Sequence, residues 1–143
     1  MIDTRTAEDG AFVLRVALGL AALSHGLLKL FVFTPAGTVG FFESLGYPAA
    51  VAYFTMFIEI VGGLALIAGF YARIVALLQV PVLLGATLVH LPNGWMFASA
   101  NGGWEYPLFW AAALVALVLV GPGAYALREI SPFGEPARSP RLA

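Results

Sequence analysis

The sequence predicts an all-α integral membrane protein: a four-helix bundle, up-down-up-down, with both termini in the cytoplasm. Three observations lead there. Of 143 residues, 61% are apolar and only 10% are charged, whereas a soluble domain carries about a quarter charged residues. Four apolar stretches, about 11–33, 50–70, 72–91 and 104–122, come near the roughly 20 residues a helix needs to cross a bilayer. Their runs are unbroken, without the two-residue alternation of a barrel strand, and short links join them as in a bundle.

The first stretch follows Asp3, Glu8 and Asp9, with Arg5 as the one basic residue among the first ten. That charge is the wrong sign for a secretory leader, and the run outlasts a leader's apolar region, so it is expected to be a retained helix. Thr34-Pro35 then has the form of an N-cap followed by proline at the first helical position. Gly46 and Pro48 form a helix stop, so Ala36 to Leu45 is expected to be a short helix on the outer face. The second and third stretches meet at a tight turn beside Arg73. Asn93-Gly94 and Asn101-Gly102-Gly103 mark turns before the fourth.

Basic residues set the orientation. Arg5, Arg15, Arg73, Arg128, Arg138 and Arg141 fall on one side and Lys29 alone on the other, which places both termini inside the cell. Trp95, Phe97, Trp104, Tyr106 and Trp110 crowd the opposite side as an aromatic interface belt. The bundle is expected to occupy residues 1–127 as one domain, with 128–143 a flexible cytoplasmic tail rich in Pro, Arg and Ser.

At 100° per residue, Arg15, Leu18, Ala22, His25 and Lys29 share a sector about 80° wide on the first helix. Ala52, Thr55, Glu59, Gly63 and Leu66 do so on the second, and Ala72, Ala76, Gln79, Leu83, Thr87 and His90 on the third. On the fourth, Glu105 lines up with Phe109, Ala112 and Ala116. Each helix thus turns polar and small residues to one side, which suits close helix contact in lipid. Depth along the helices gathers His25, Lys29, His90 and Glu105 near the outer surface, with Glu59 ~5 Å deeper than His25.

Ionisable side chains inside a membrane are costly and are candidates for function. His25, Lys29, Glu59, His90 and Glu105 are therefore the candidate ligand-binding or proton-transferring set. Arg15, Glu59 and Arg73 are candidates for structural ion pairs, with Glu59 joined to Arg15 or Lys29. Gln79 reads as an interhelical hydrogen-bonding group. The net charge of −1 gives no reason to expect a nucleic-acid partner. The absence of cysteine excludes disulfides, thiolate metal ligands and dithiol redox chemistry by this chain alone.

These residues resemble the DoxX family of small four-helix membrane proteins over about Arg15 to Leu127. The likeness rests on Arg15, His25-Gly26 with Lys29, Glu59 with Gly62-Gly63, Gly69 and Arg73, His90, Gly103 with Glu105, and Gly121-Pro122-Gly123. Members often carry a serine and an aspartate after Gly-Pro-Gly, where this chain has Ala126 and Arg128. The resemblance implies a bacterial inner-membrane location and a link to membrane redox chemistry, since the family is named for a subunit of a thiosulfate:quinone oxidoreductase.

Three functions remain open at this point, and whether the chain itself is an enzyme is left undecided. The first is a redox-associated subunit holding a quinone or similar lipid-soluble molecule in the outer half of the bundle. Imidazoles would serve its carbonyls and carboxylates would relay protons. The second is a non-catalytic anchor or assembly partner of a separate oxidoreductase, since no nucleotide loop or haem attachment sequence is present. The third is a small transporter, which four helices would serve best as a homo-oligomer. The cofactor is unassigned. A quinone is the candidate, and two histidines without diagnostic spacing are a poor basis for haem or metal.

Overall fold

The computed structural model describes Asp3 and residues 5–128. Apart from Arg128, the expected tail lies outside the described residues, and so do Arg138 and Arg141. The described chain is all-α with five helices. Helix α1, Ala7–Leu27, continues through one wider π turn, Leu28–Val32. It starts four residues before the expected position, with Glu8 and Asp9 in its first turn, where carboxylates complement the positive end of the helix dipole. The short outer helix is α2, Thr34–Ser44. Then come α3, Ala49–Ala68, α4, Ala72–His90 with a 3₁₀ turn Leu91–Asn93, and α5, Glu105–Val120.

Three helical segments are long and apolar enough to cross a membrane: Ala7–Val32, Ala49–Ala68 and Ala72–Asn93. The chain is therefore a multi-pass integral membrane protein. The fourth expected span corresponds to a shorter apolar helix, α5, of only 16 residues. At 1.5 Å per residue it is about 24 Å long, less than the roughly 30 Å hydrocarbon core. The sequence run 104–122 looked longer because it included Trp104, which precedes the helix, and Gly121-Pro122, which ends it with Gly121 at φ +94°.

The capping expected of α2 is present in substance. The Thr34 hydroxyl oxygen accepts the Gly37 N–H at 3.2 Å, the bond an N-cap makes to the third helical residue, with Pro35 between. At the other end, Tyr47 N–H donates to Phe42 O and Gly46 N–H to Glu43 O. That is a Schellman ending, and it needs the left-handed φ of +84° that Gly46 supplies. The rings of Phe42 and Tyr47 meet across it, with centroids 6.4 Å apart.

Helices α1 and α3 approach backbone to backbone. A methyl group built on Gly63 would lie 2.7 Å from Leu23 N, and one on Gly19 would lie 2.8 Å from Gly63 O. Lipid gives apolar helix surfaces no incentive to leave it, so such van der Waals contact and interhelical hydrogen bonds are what hold the pair. Arg15 supplies the bonds. Fully buried, it donates through Nε to Pro122 O (2.7 Å), through Nη1 to Leu66 O and Ile67 O (2.8 and 2.9 Å), and through Nη2 to Ala124 O (2.9 Å). Two of the last carbonyls of α3 thereby gain a side-chain donor, Leu66 O in addition to the Gly69 N–H that it accepts at 3.1 Å. The chain after α5 is fastened to the same point. Leu127 and Arg128 then bond through their backbones to Ala68, Gly69 and Tyr71, and the Arg128 guanidinium lies 5.7 Å from the Tyr71 ring centre.

On α1, α3 and α4 the inward faces are those the sequence predicts: Arg15, Ala22, Ala52, Glu59, Leu66, Ala76, Gln79 and Thr87 are all buried. Helix α5 is the exception. Trp110, Ala111, Leu114, Leu117 and Val118 face the core, while Phe109 is 73% exposed and Ala112 is also exposed. An entirely apolar helix carries no polar mark of its inner side, and Glu105, used as the guide, belongs to its first turn and turns toward the preceding loop. Trp110, expected in the interface belt, is only 4% exposed for the same reason.

Candidate functional site

Between the halves of α1, α3, α4 and α5 that lie away from Arg15 is a cavity of about 520 Å³, lined also by residues of α2 and of 97–103. Its wall is mostly apolar and aromatic. Four of the five residues singled out from the sequence line it: His25, Lys29, Glu59 and His90. The inner end is closed where α3 and α4 touch. There Gln79 donates to Ile58 O at 3.2 Å, and a methyl group on Gly62 would meet the Gln79 amide at 2.7 Å.

The polar floor is an ion pair across α1 and α3. Lys29 Nζ lies 2.8 Å from Glu59 Oε1, with side chains 18% and 8% exposed. Of the two partners considered for Glu59, the structure thus brings Lys29 to it. The Arg15 head lies instead at Leu66 and Ile67, about two turns along α3. Lys29 reaches inward because the π turn carrying it is braced by Thr38 of α2, whose hydroxyl donates to Lys29 O at 3.2 Å. The other carboxylate oxygen, Glu59 Oε2, is buried with no hydrogen-bond partner among the described residues, and so is Trp110 Nε1.

His25 sits one turn before Lys29. Its Nδ1 lies 2.9 Å from Ala21 O, and a carbonyl can only accept, so Nδ1 carries the proton. In the neutral ring Nε2 is then an acceptor, and it makes no hydrogen bond to the described protein. The ring is held between aromatics, stacked on Tyr106 at 6.1 Å and meeting Trp110 edge-on at 5.0 Å. His90 is placed by the Asn93 side chain. The two hydrogens of that amide go to the carbonyls of Asn101 (3.1 Å) and Gly102 (2.9 Å), and its nitrogen lies 3.3 Å from His90 Nδ1. This contact positions the His90 ring without fixing its tautomer. The cavity thus holds one imidazole set to accept through Nε2 and a second one held in place by the loop.

The fifth candidate is elsewhere. Glu105 Oε1 accepts the Phe97 N–H at 2.7 Å, and its own N–H donates to Trp95 O, so it secures the 94–104 loop. It lines a separate recess with Trp95, Phe97, Tyr106 and Phe109. The folded-back loop offers the carboxylate an N–H before it can reach the bundle axis. Arg73 lies at the far end of the molecule, its guanidinium against Gly121. Among the described residues there is no group of three His, Asp or Glu side chains able to hold a metal.

Sequence reasoning missed the aromatic and apolar part of the wall: Tyr47, Phe54, Tyr106 and Trp110, together with Pro81 and Gly85 of α4. The proline and glycine inside an otherwise regular helix were a legible signal, since both cost helix stability and call for a local reason.

Known proteins are similar to this chain in sequence. A curated protein of Bacillus subtilis (strain 168), described as "Putative oxidoreductase CatD", is 34% identical over 114 residues, covering 79% of this chain and 81% of that protein. No solved structure matches significantly. The sequence profile of the DoxX family matches residues 10–92, which include Arg15, His25, Lys29, Glu59 and His90 but not Glu105 or Gly121-Pro122-Gly123. On both grounds this chain belongs to the DoxX family of membrane proteins.

Proposed function

We propose that this DoxX-family protein is a redox-associated membrane subunit that binds a quinone or a similar lipid-soluble molecule in the cavity beside His25 and Glu59. The observation that carries the reading is the presence of two imidazoles and the Lys29–Glu59 pair inside an otherwise apolar chamber. His25 Nε2 is left as an acceptor by the bond from Nδ1 to Ala21 O, and no hydrogen bond to the described protein uses it. A quinol hydroxyl would donate to His25, and a quinone carbonyl would accept a hydrogen bond from an N–H of the His90 imidazole. The buried and unpartnered Glu59 Oε2 and Trp110 Nε1 offer a further acceptor and donor beside the same space. A volume of about 520 Å³ falls within the roughly 300–1,000 Å³ of small-molecule sites. The relative's printed name, an oxidoreductase, agrees with redox chemistry.

The bilayer arrangement that goes with this reading has four spans, up-down-up-down, in a bacterial inner membrane, with both termini and the Arg15 end in the cytoplasm. The short α5 is accommodated by its neighbours or by local thinning of the bilayer. The test is a thermal melt of purified protein with quinone analogues. A shift is expected for the wild type and its loss for His25→Ala and for His90→Ala. A wild type that no quinone shifts, or variants that keep the full shift, would refute the reading.

One observation favours a second reading, a non-catalytic anchor for a separate oxidoreductase. Lys29 Nζ and Glu59 Oε1 already pair at 2.8 Å, as in a purely structural ion pair. A flavin- or metal-carrying enzyme that co-purifies with the chain, together with no quinone response, would establish the anchor instead.

A further inference from the structure

The cavity is wedge-shaped in its relation to α3 and α4. Near their shared turn the two helices touch, through Gln79, Val75 and Gly62. One to two turns outward they no longer fill the space between them, and Val51, Phe54 and Thr55 on α3 face the cavity together with Pro81, Val82 and Gly85 on α4. Two properties of this rim stand out. Phe54 is 49% exposed and Pro81 is also exposed, yet both line the cavity, so they belong to its chamber and to the outer, lipid-facing surface at once. Gly85, one turn after Pro81, lines the cavity with nothing within 4 Å of where a Cβ would stand. No close helix contact explains this glycine, unlike Gly19 or Gly63. What it preserves is an unfilled gap.

From this geometry we infer that the gap between α3 and α4, framed by Phe54, Pro81 and Gly85, is a lateral portal to the bilayer, through which the apolar tail of a head-and-tail ligand extends while its ring lies at the histidines. The inference rests on the quinone-like reading and adds the class of ligand: an amphipathic molecule with a long apolar chain. The polarity of the chamber supports it. Its charged and imidazole groups lie away from the gap: His25 and Lys29 come from α1, Glu59 from α3 where it meets Lys29, and His90 from the end of α4, whereas Phe54, Pro81 and Gly85 at the gap are apolar. Lipid is as apolar as such a rim, so a tail gains nothing by being buried in protein. It needs only a way out, and a glycine supplies one.

The experiment compares two probes, decyl-ubiquinone and a tail-free ubiquinone ring, for binding to the full chain in lipid nanodiscs. The proteins are wild type, Gly85→Ala, Gly85→Leu and Phe54→Ala. Filling the gap by Gly85→Leu is expected to weaken the tailed probe about tenfold or more, equivalent to 1.4 kcal/mol, and the tail-free ring by no more than about threefold. Gly85→Ala should give a smaller loss of the same kind, and Phe54→Ala, which widens the rim, should spare both probes. Melting in the absence of probe checks that each variant is folded, and Gly85→Ala carries the comparison if the leucine variant is not. Equal loss of both probes, or retention of the tailed probe by a folded Gly85→Leu, would overturn the portal and leave the chamber as a quinone site. Failure of both probes to bind the wild type would overturn the quinone reading and the portal with it.

Discussion

Replacing Arg15 by methionine tests whether one buried guanidinium ties the inner end of the bundle together. Four carbonyl oxygens, of Leu66, Ile67, Pro122 and Ala124, accept its N–H groups at 2.7–2.9 Å. A hydrogen bond to a charged group contributes about 1.5–3 kcal/mol net, so four simple increments would give roughly 6–12 kcal/mol. That sum is an upper bound. The wild type also bears the desolvation of a cation with no exposure at all, a penalty of several kcal/mol that the methionine variant would not carry. The expected loss is therefore about 3–5 kcal/mol, the range found when a buried charged network is broken. Arg15→Lys should fall between the two, because an ammonium keeps the charge but has three donors for four acceptors and lacks the planar fork. Equilibrium unfolding in mixed micelles, followed by far-UV circular dichroism, reads both values. A methionine variant within about 0.5 kcal/mol of wild type, the usual range for a surface substitution, would refute the claim that Arg15 joins α1, α3 and the chain after α5.

The ion pair and the orientation of α5 are open to the same unfolding assay. Lys29→Met leaves the Glu59 carboxylate buried without its cation and should cost about 3–5 kcal/mol, whereas Lys29→Met with Glu59→Leu should recover most of that loss. A double-mutant cycle checks it, and additive losses would contradict a coupled pair. On α5, Leu114→Ala should cost about 2–5 kcal/mol because Leu114 is fully buried, while Phe109→Ala, on the exposed face, should stay within about 0.5 kcal/mol. The reverse order would restore the sequence-based orientation of that helix.

Much of the fold was legible because polarity in an apolar helix is informative wherever it occurs. Arg15, Glu59 and Gln79 each cost free energy in lipid unless they face the protein, so each marks the inner side of its helix correctly. Polarity gives no such guide on α5, where residues 106–120 carry no charge and every face is equally compatible with lipid. Which side packs inward is decided there by shape, through Trp110 meeting His25 and Leu114 entering the core. Of the candidate site, His25, Lys29, Glu59 and His90 were legible from helix phase and depth. Glu105 was grouped with them, but its bond to the Phe97 N–H depends on how the 94–104 loop folds back. The His25 tautomer was not legible at all. It is set by Ala21 O one turn away, a pattern not written in residue type.

The two ends of α1 carry opposite designs, and that asymmetry bears on how the site works. At the Arg15 end, glycine-to-backbone contacts and four carbonyl bonds leave no space, and the chain after α5 is fastened to the α3–α4 turn. At the Lys29 end, the helix loosens into a π turn, α4 carries a proline and an open glycine, and a chamber remains. π turns inside α-helices occur frequently at functional positions, because the extra residue re-aims a side chain at a cost in helix stability. Here the residue on the π turn is Lys29, and its ion pair with Glu59 forms the chamber floor. A bundle uniformly loosened in this way would not hold its helices in a solvent that exerts no hydrophobic pressure on them. The closed end is thus the physical condition for the open one: α1 and α3 are fixed at Arg15, Gly19 and Gly63, so the outer halves can leave a cavity unfilled without the helices separating.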